Sequence, residues 1–217
     1  MKLSRFTSYR ILTELSKLLS TVLNPMLMPT YGTAIALWLS YLNAATVGGR
    51  VTILMMIFGI TCILPMILIS VLHHFQVIKD KRLERQSDRL IPYLFAILCY
   101  GAAVLYLLQC HAPRWFIMFG LGAMLTVIVC VVVNHWWKIS AHLAGIGGLT
   151  ALIYEIHVLG ISALTGSAHF TLFCVTVLLA GALGTARLTL RRHTLSQVLC
   201  GFLVGFISVA LIMRLFG

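Results

Sequence analysis

The chain has 217 residues, 60% of them hydrophobic and only 10% charged, with a formal net charge of +11. A mean hydropathy of +1.01 excludes an ordinary soluble domain and makes an integral membrane protein the leading class. Without a soluble fold or base-binding aromatics, the positive balance points to anionic headgroups or phosphate substrates and away from nucleic acid.

Residues 1–20 carry Lys2, Arg5, Arg10, Glu14 and Lys17 and have no uninterrupted apolar core, so they do not read as a signal peptide. From Tyr9 to Leu23 apolar residues recur at helical spacing (Ile11, Leu12, Leu15, Leu18, Leu19, Val22), which predicts an interfacial amphipathic helix. Apolar runs then follow at about 24–43, 51–73, 91–109, 115–137, 141–163, 169–186 and 197–215. They predict an all-α polytopic membrane bundle of six or seven transmembrane helices, built as one domain over residues 1–217. Asn24-Pro25 and Pro29-Thr30 predict a bent start to the first run. No alternation is long enough for a barrel. Cys62, Cys99, Cys110, Cys130, Cys174 and Cys200 all fall within or at the ends of apolar runs and form no CxxC pair, so they read as small apolar fillers.

Seven spans would place the polar segments on one side. Of the 16 Lys and Arg, only Arg50, Arg114 and Arg214 fall on the other. The positive-inside rule makes the crowded side cytoplasmic.

Three segments on that side carry candidate chemistry. In the first, Arg82, Arg85 and Arg89 stand at i, i+3 and i+7, one helix face, with Asp80, Glu84 and Asp88 on another. They make either an ion-paired topogenic loop or an arginine clamp, since guanidinium forks match phosphate oxygens bidentately. In the second, Lys138-Ile139-Ser140-Ala141-His142, Ser140 is placed to cap a helix. His142 there is either a hydrated interfacial histidine or a general acid. Trp136 and Trp137 just before it form an interfacial belt. In the third, Thr194-Leu195-Ser196-Gln197 has the form of a capping box, so His193 precedes a helix N-terminus. The positive end of that helix disfavours imidazolium and favours a bound phosphate. A neutral imidazole can attack phosphorus, with Arg187 as a donor to the incoming charge.

These segments resemble the three signature motifs of the type 2 phosphatidic acid phosphatase superfamily, membrane relatives of vanadium haloperoxidases and acid phosphatases. The family pattern is Lys-x6-Arg-Pro, Pro-Ser-Gly-His and Ser-Arg-x5-His-x3-Asp. Here Arg82 stands for the lysine and Arg89 for the first arginine, with Leu90-Ile91 before Pro92. Ile139-Ser140-Ala141-His142 stands for the second motif, and Ala186-Arg187 with His193 and Gln197 for the third. The similarity covers roughly residues 78–205 and is greatest to short bacterial members.

The resemblance implies dephosphorylation of a lipid phosphate or diphosphate through a phosphohistidine, in an enzyme of the bacterial inner membrane. His193 would be the nucleophile and His142 the acid. Arg82, Arg89, Ser140 and Arg187 would hold phosphate oxygens, with Arg85 an extra candidate on the same face. No cofactor or metal is implied, because arginines stabilise the charge; the expected partner is a phosphorylated lipid. Gln197 stands where the family has an aspartate, so it would orient His193 without supplying a negative charge. A lipid phosphotransferase using the same histidine, and a non-catalytic lipid-phosphate binder, are the alternatives. Many bacterial relatives act on the outer face, so the resemblance and the charge count differ on the side.

Glu155 and His157 lie within the fifth run, where ionisable groups are functional candidates. Glu155 is 13 residues beyond His142, about 20 Å along a helix, and belongs to a different site or to a pair with a neighbouring helix.

Overall fold

The computed structural model describes residues 2–79 and 86–217. Helix dominates, and no strand longer than an isolated bridge, Ser40 with Ser162, occurs among the described residues. The helices are α1 (Lys2–Val22), α2 (Met28–Leu39), α3 (Val47–Phe58), α4 (Leu64–His74), α5 (Leu90–Gln109), α6 (Arg114–Trp136), α7 (Ala141–Val158), α8 (Gly166–Thr189) and α9 (Leu195–Phe216). A π-turn, Gly59–Ile63, joins α3 and α4 into one rod, Val47–His74.

Five helical segments are long and apolar enough to cross a membrane: Val47–His74, α5, α6, α8 and α9. Their outward faces carry apolar side chains such as Leu98, Leu105 and Leu178, each more than 60% exposed. A soluble protein would hide these; a bilayer solvates them. The chain is an integral membrane protein.

The runs predicted at 24–43 and 141–163 are not among the five. The first is broken chemically. Asn24 Oδ1 accepts from Met26 N at 3.0 Å and caps a 3-10 turn, Pro25–Leu27, before α2 begins. At Ser40 the backbone turns extended to pair with Ser162, leaving α2 only 12 residues. That is about 18 Å of helix, well short of a bilayer core of roughly 30 Å.

α7 is the axis of the bundle. Ala151, Leu152, Ile153 and Glu155 are fully buried, as helices apolar all round must be. Its tightest neighbour is α9, and glycines make the approach possible. A Cβ on Gly201 would lie 2.6 Å from Ser140 O, and one on Gly205 would strike Ala144 O. Small residues four apart are a membrane helix-packing device, because they let backbones meet where lipid supplies no hydrophobic drive. The two helices run antiparallel to α8, so α7 and α9 both start at one end of the bundle, near Ser140 and His193. Both finish at the other, near Glu155 and Arg214. At that far end Ala163 N donates to Leu39 O at 2.9 Å, and Trp115 Nε1 donates to the Tyr41 hydroxyl at 3.0 Å.

Candidate active site

Three loops meet at the near end. The first is pinned to the second through backbone and amide groups. Asn134 Nδ2 donates to Gln86 O at 3.2 Å, Gln86 Nε2 donates to Asn134 O, and Arg89 Nη1 donates to Ile139 O at 2.9 Å. Arg89 is thereby buried, at 5% exposure. Arg82 and Arg85 lie outside the described residues. The second loop is pinned to the third by Ser140 N donating to Gln197 O at 3.3 Å and by Lys138 Nζ donating to Arg192 O at 2.9 Å.

Ser140 occupies the N-cap position of α7, but its hydroxyl makes no capping bond. The capping predicted for it is not made. Its Oγ is buried without a hydrogen-bond partner, and so is Arg187 Nε in the last turn of α8. Buried donors left in this way are costly to the fold.

His193 is almost fully buried between α8 and α9. The turn that carries it places Arg191 in the left-handed region, φ +52°, a conformation uncommon for a residue with a Cβ. His193 Nδ1 donates to Gln197 Oε1 at 3.1 Å. The same oxygen accepts from Thr194 N at 3.2 Å, while Thr194 Oγ1 accepts from Gln197 N at 3.4 Å. The capping box is therefore complete, and the residue that closes it also fixes the histidine tautomer. With the proton on Nδ1, Nε2 carries the lone pair. Burial, and then the charges of Arg187 and Arg89, pull the His193 pKa down to about 3, so the ring is neutral. Lys138 is lowered as well, by burial first and then by Arg89 and Arg187.

His142 lies one turn into α7, and its Nε2 is 3.1 Å from Ser20 O at the end of α1. A carbonyl only accepts, so Nε2 bears the proton and Nδ1 is left to exchange one. Arg89, His142, Arg187 and His193 line a single cavity of about 370 Å³, to which α1 contributes Lys17 and Ser20. The four were predicted from three separate segments; Gln197 joins them through His193, and Ser140 adjoins through its backbone. Trp136, 75% exposed, and Trp137 stand beside them at the end of α6.

Two parts of this arrangement were not read from the sequence. Ser20 acts through a main-chain carbonyl, which no side-chain pattern reports. Lys138 was counted only as topogenic charge, although its place between Trp137 and Ser140 was a signal of a second role. Among the described residues no group of three His, Cys, Asp or Glu side chains is set to hold a metal. Glu155 is not part of the cavity: its Oε2 accepts from Arg214 Nε at 2.7 Å at the far end.

No family model, no curated protein and no solved structure matches this chain.

Proposed function

We propose that the protein is a membrane phosphatase that removes phosphate from a phosphorylated lipid through a phosphohistidine, as the resemblance to the type 2 phosphatidic acid phosphatases implies. The observation that carries the reading is the partnerless buried Nε of Arg187, on a cavity also lined by a neutral histidine whose Nδ1 is already engaged. A phosphate answers both: its oxygens accept from the guanidinium, and its phosphorus accepts the Nε2 lone pair.

In the first step a bond forms from His193 Nε2 to phosphorus and the bond from phosphorus to the lipid oxygen breaks. His142, made imidazolium by taking at Nδ1 the acidic proton of the arriving phosphate monoanion, gives that proton to the leaving oxygen. Its Nε2–H stays on Ser20 O, and Nδ1 makes the transfer. In the second step His142 takes a proton back from water at Nδ1, the hydroxide attacks phosphorus, and the bond to His193 breaks to release phosphate. Arg89, Arg187 and Ser140 hold the equatorial oxygens throughout. In this reading α7 is a sixth crossing, buried against α2, α6, α8 and α9, while α1 packs on α8 and turns Ile11, Leu15 and Leu18 outward.

The test is phosphate release from lipid phosphates in mixed micelles with EDTA present. Wild-type protein is expected to release phosphate, and His193→Ala to fall by about 10³-fold or more. Equal release from the two proteins would overturn the reading. A phosphotransferase gains weight if phosphate appears only on an added alcohol. Gln197, which brings no charge, favours a binder if neither protein turns over.

The charge asymmetry supports a cytoplasmic site. An impermeant thiol reagent applied to spheroplasts is then expected to label Gly166→Cys at the far end and to spare Ser87→Cys, each in a background cleared of exposed cysteines. Labelling of Ser87→Cys alone reverses the orientation.

A further inference from the structure

The cavity does not stop at the catalytic groups. On α5, Pro92, Ala96 and Tyr100 line it at i, i+4 and i+8, one continuous face. On α6, Phe119, Ala123 and Val127 do the same. From Arg89 to Tyr100, and from Cys130 to Phe119, the stripe covers about 11 residues, or roughly 16 Å along each helix. Two helices therefore give one depth, from charged mouth to apolar floor.

The floor is built from buried side chains. Phe119, Leu149 and Val209 line it and are buried. Phe119 is itself wedged against Gly32, where a Cβ would strike its ring. Below the mouth the walls are mainly apolar, with Tyr93 and Tyr100 the aromatic exceptions that carry a hydroxyl. Thr126 Oγ1 donates to Gly122 O at 2.9 Å and Thr61 Oγ1 to Ile57 O at 2.8 Å, so both hydroxyls are satisfied on their own helices. Thr61 reaches the wall from the π-turn, a distortion that recurs at functional sites. The deeper, apolar part of the cavity suits hydrocarbon better than water.

We propose that this cavity is a closed-ended shaft for the hydrocarbon chain of the substrate. The chain leaves the bilayer and enters the bundle, and the floor at Phe119, Leu149 and Val209 limits its length. The inference rests on the lipid-phosphate reading for the headgroup, but the shaft is defined by its own walls. It makes the protein a selector of chain length as well as of phosphate. Ala96 and Ala123, small side chains midway down, set the bore.

The experiment uses alkyl phosphonates, which cannot be hydrolysed, carrying a photoreactive diazirine at the chain end, with full-length protein in nanodiscs and labels mapped by mass spectrometry. A chain matching the shaft is expected to label Phe119, Leu149 or Val209, and a shorter one Ala96 or Val127. Ala96→Trp, which plugs the bore, is expected to cut floor labelling by about tenfold. Labels confined to the lipid-facing Leu98, Leu105 and Leu178 at every chain length would overturn the shaft, and this readout on wild-type protein does not depend on the variant folding. The same chain bearing a hydroxyl separates the two ideas. Floor labelling by alcohol and phosphonate alike, not reduced by inorganic phosphate, keeps the shaft and sinks the phosphate reading. Floor labelling by the phosphonate alone supports both.

Discussion

The two ends of α7 treat positive charge in opposite ways. At the far end Arg214 meets a carboxylate: Glu155 Oε2 accepts its Nε at 2.7 Å, and the guanidinium lies 5.6 Å from the centre of the Tyr154 ring. At the near end Arg187 keeps a buried Nε without a partner, and its charge helps hold His193 neutral. A matched ion pair in a bundle does structural work. A buried donor left unmatched is a cost to the fold that an arriving anion removes. The proposed function makes the far end a matter of stability and the near end one of recognition, and substitutions at each end test that division.

The largest effect is expected from Arg187→Ala. Loss of this donor should lower turnover by about 10²- to 10³-fold, the usual loss when one preorganised donor to a developing charge is removed. The same substitution should leave the melting temperature unchanged or raised, because a buried cation with an unsatisfied nitrogen disappears. Measuring phosphate release beside a thermal melt decides it. A large drop in melting temperature with turnover preserved would put Arg187 in the structural class and erase the contrast between the ends.

Gln197 sharpens the near end from the other direction. The family pattern suggests aspartate here, but Gln197 Oε1 serves both His193 Nδ1 and Thr194 N, and aspartate is one methylene shorter. Gln197→Glu keeps the reach and adds the charge. Turnover is expected to rise about tenfold, since a carboxylate stabilises the positive charge that develops on the ring as Nε2 bonds to phosphorus. Stability should respond to pH as well. With the folded pKa of His193 near 3 and the unfolded value near 6.5, the unfolded chain takes up a proton that the folded chain refuses. Its contribution is therefore present above 6.5 and is lost as pH falls toward 3. The added carboxylate should raise the folded pKa and shrink the loss, read as the difference in melting temperature between about pH 7 and about pH 5. An unchanged difference would show that His193 is not held neutral.

How much of this was legible in the chain follows the physics of each feature. The convergence of Arg89, His142, Arg187 and His193 was readable because span parity decides which loops share a side, and even a miscount by two would have preserved it. The capping box at Thr194 was readable because it is local. The span count was less so: Ser40 ends α2 by pairing with Ser162, a contact more than a hundred residues away. The π-turn at Gly59–Ile63 sits in an apolar run that looks like any other. Ser20 was invisible because a carbonyl has no letter, and the shaft because alanines such as Ala96 and Ala123 become a bore only when three helix faces meet.

The smallest expected effect on turnover, and the clearest on stability, belongs to Arg214→Ala. Glu155 is fully buried, its Oε1 has no partner, and Arg214 supplies its counter-charge at Oε2. Without that cation the buried carboxylate loses its counter-charge in the α7–α9 interface, which weakens the packing of the two helices. The melting temperature is expected to fall by several degrees, while turnover per folded molecule stays at the wild-type value, because the pair lies about 20 Å along α7 from His142. Glu155→Gln in the same chain should restore much of the loss, since an uncharged amide tolerates the missing partner; a cycle of the two single variants and the double measures the coupling. If Arg214→Ala lowered turnover at temperatures where the protein is folded, the ends of α7 would be working as one device, and a purely structural role for the far pair would have to be given up.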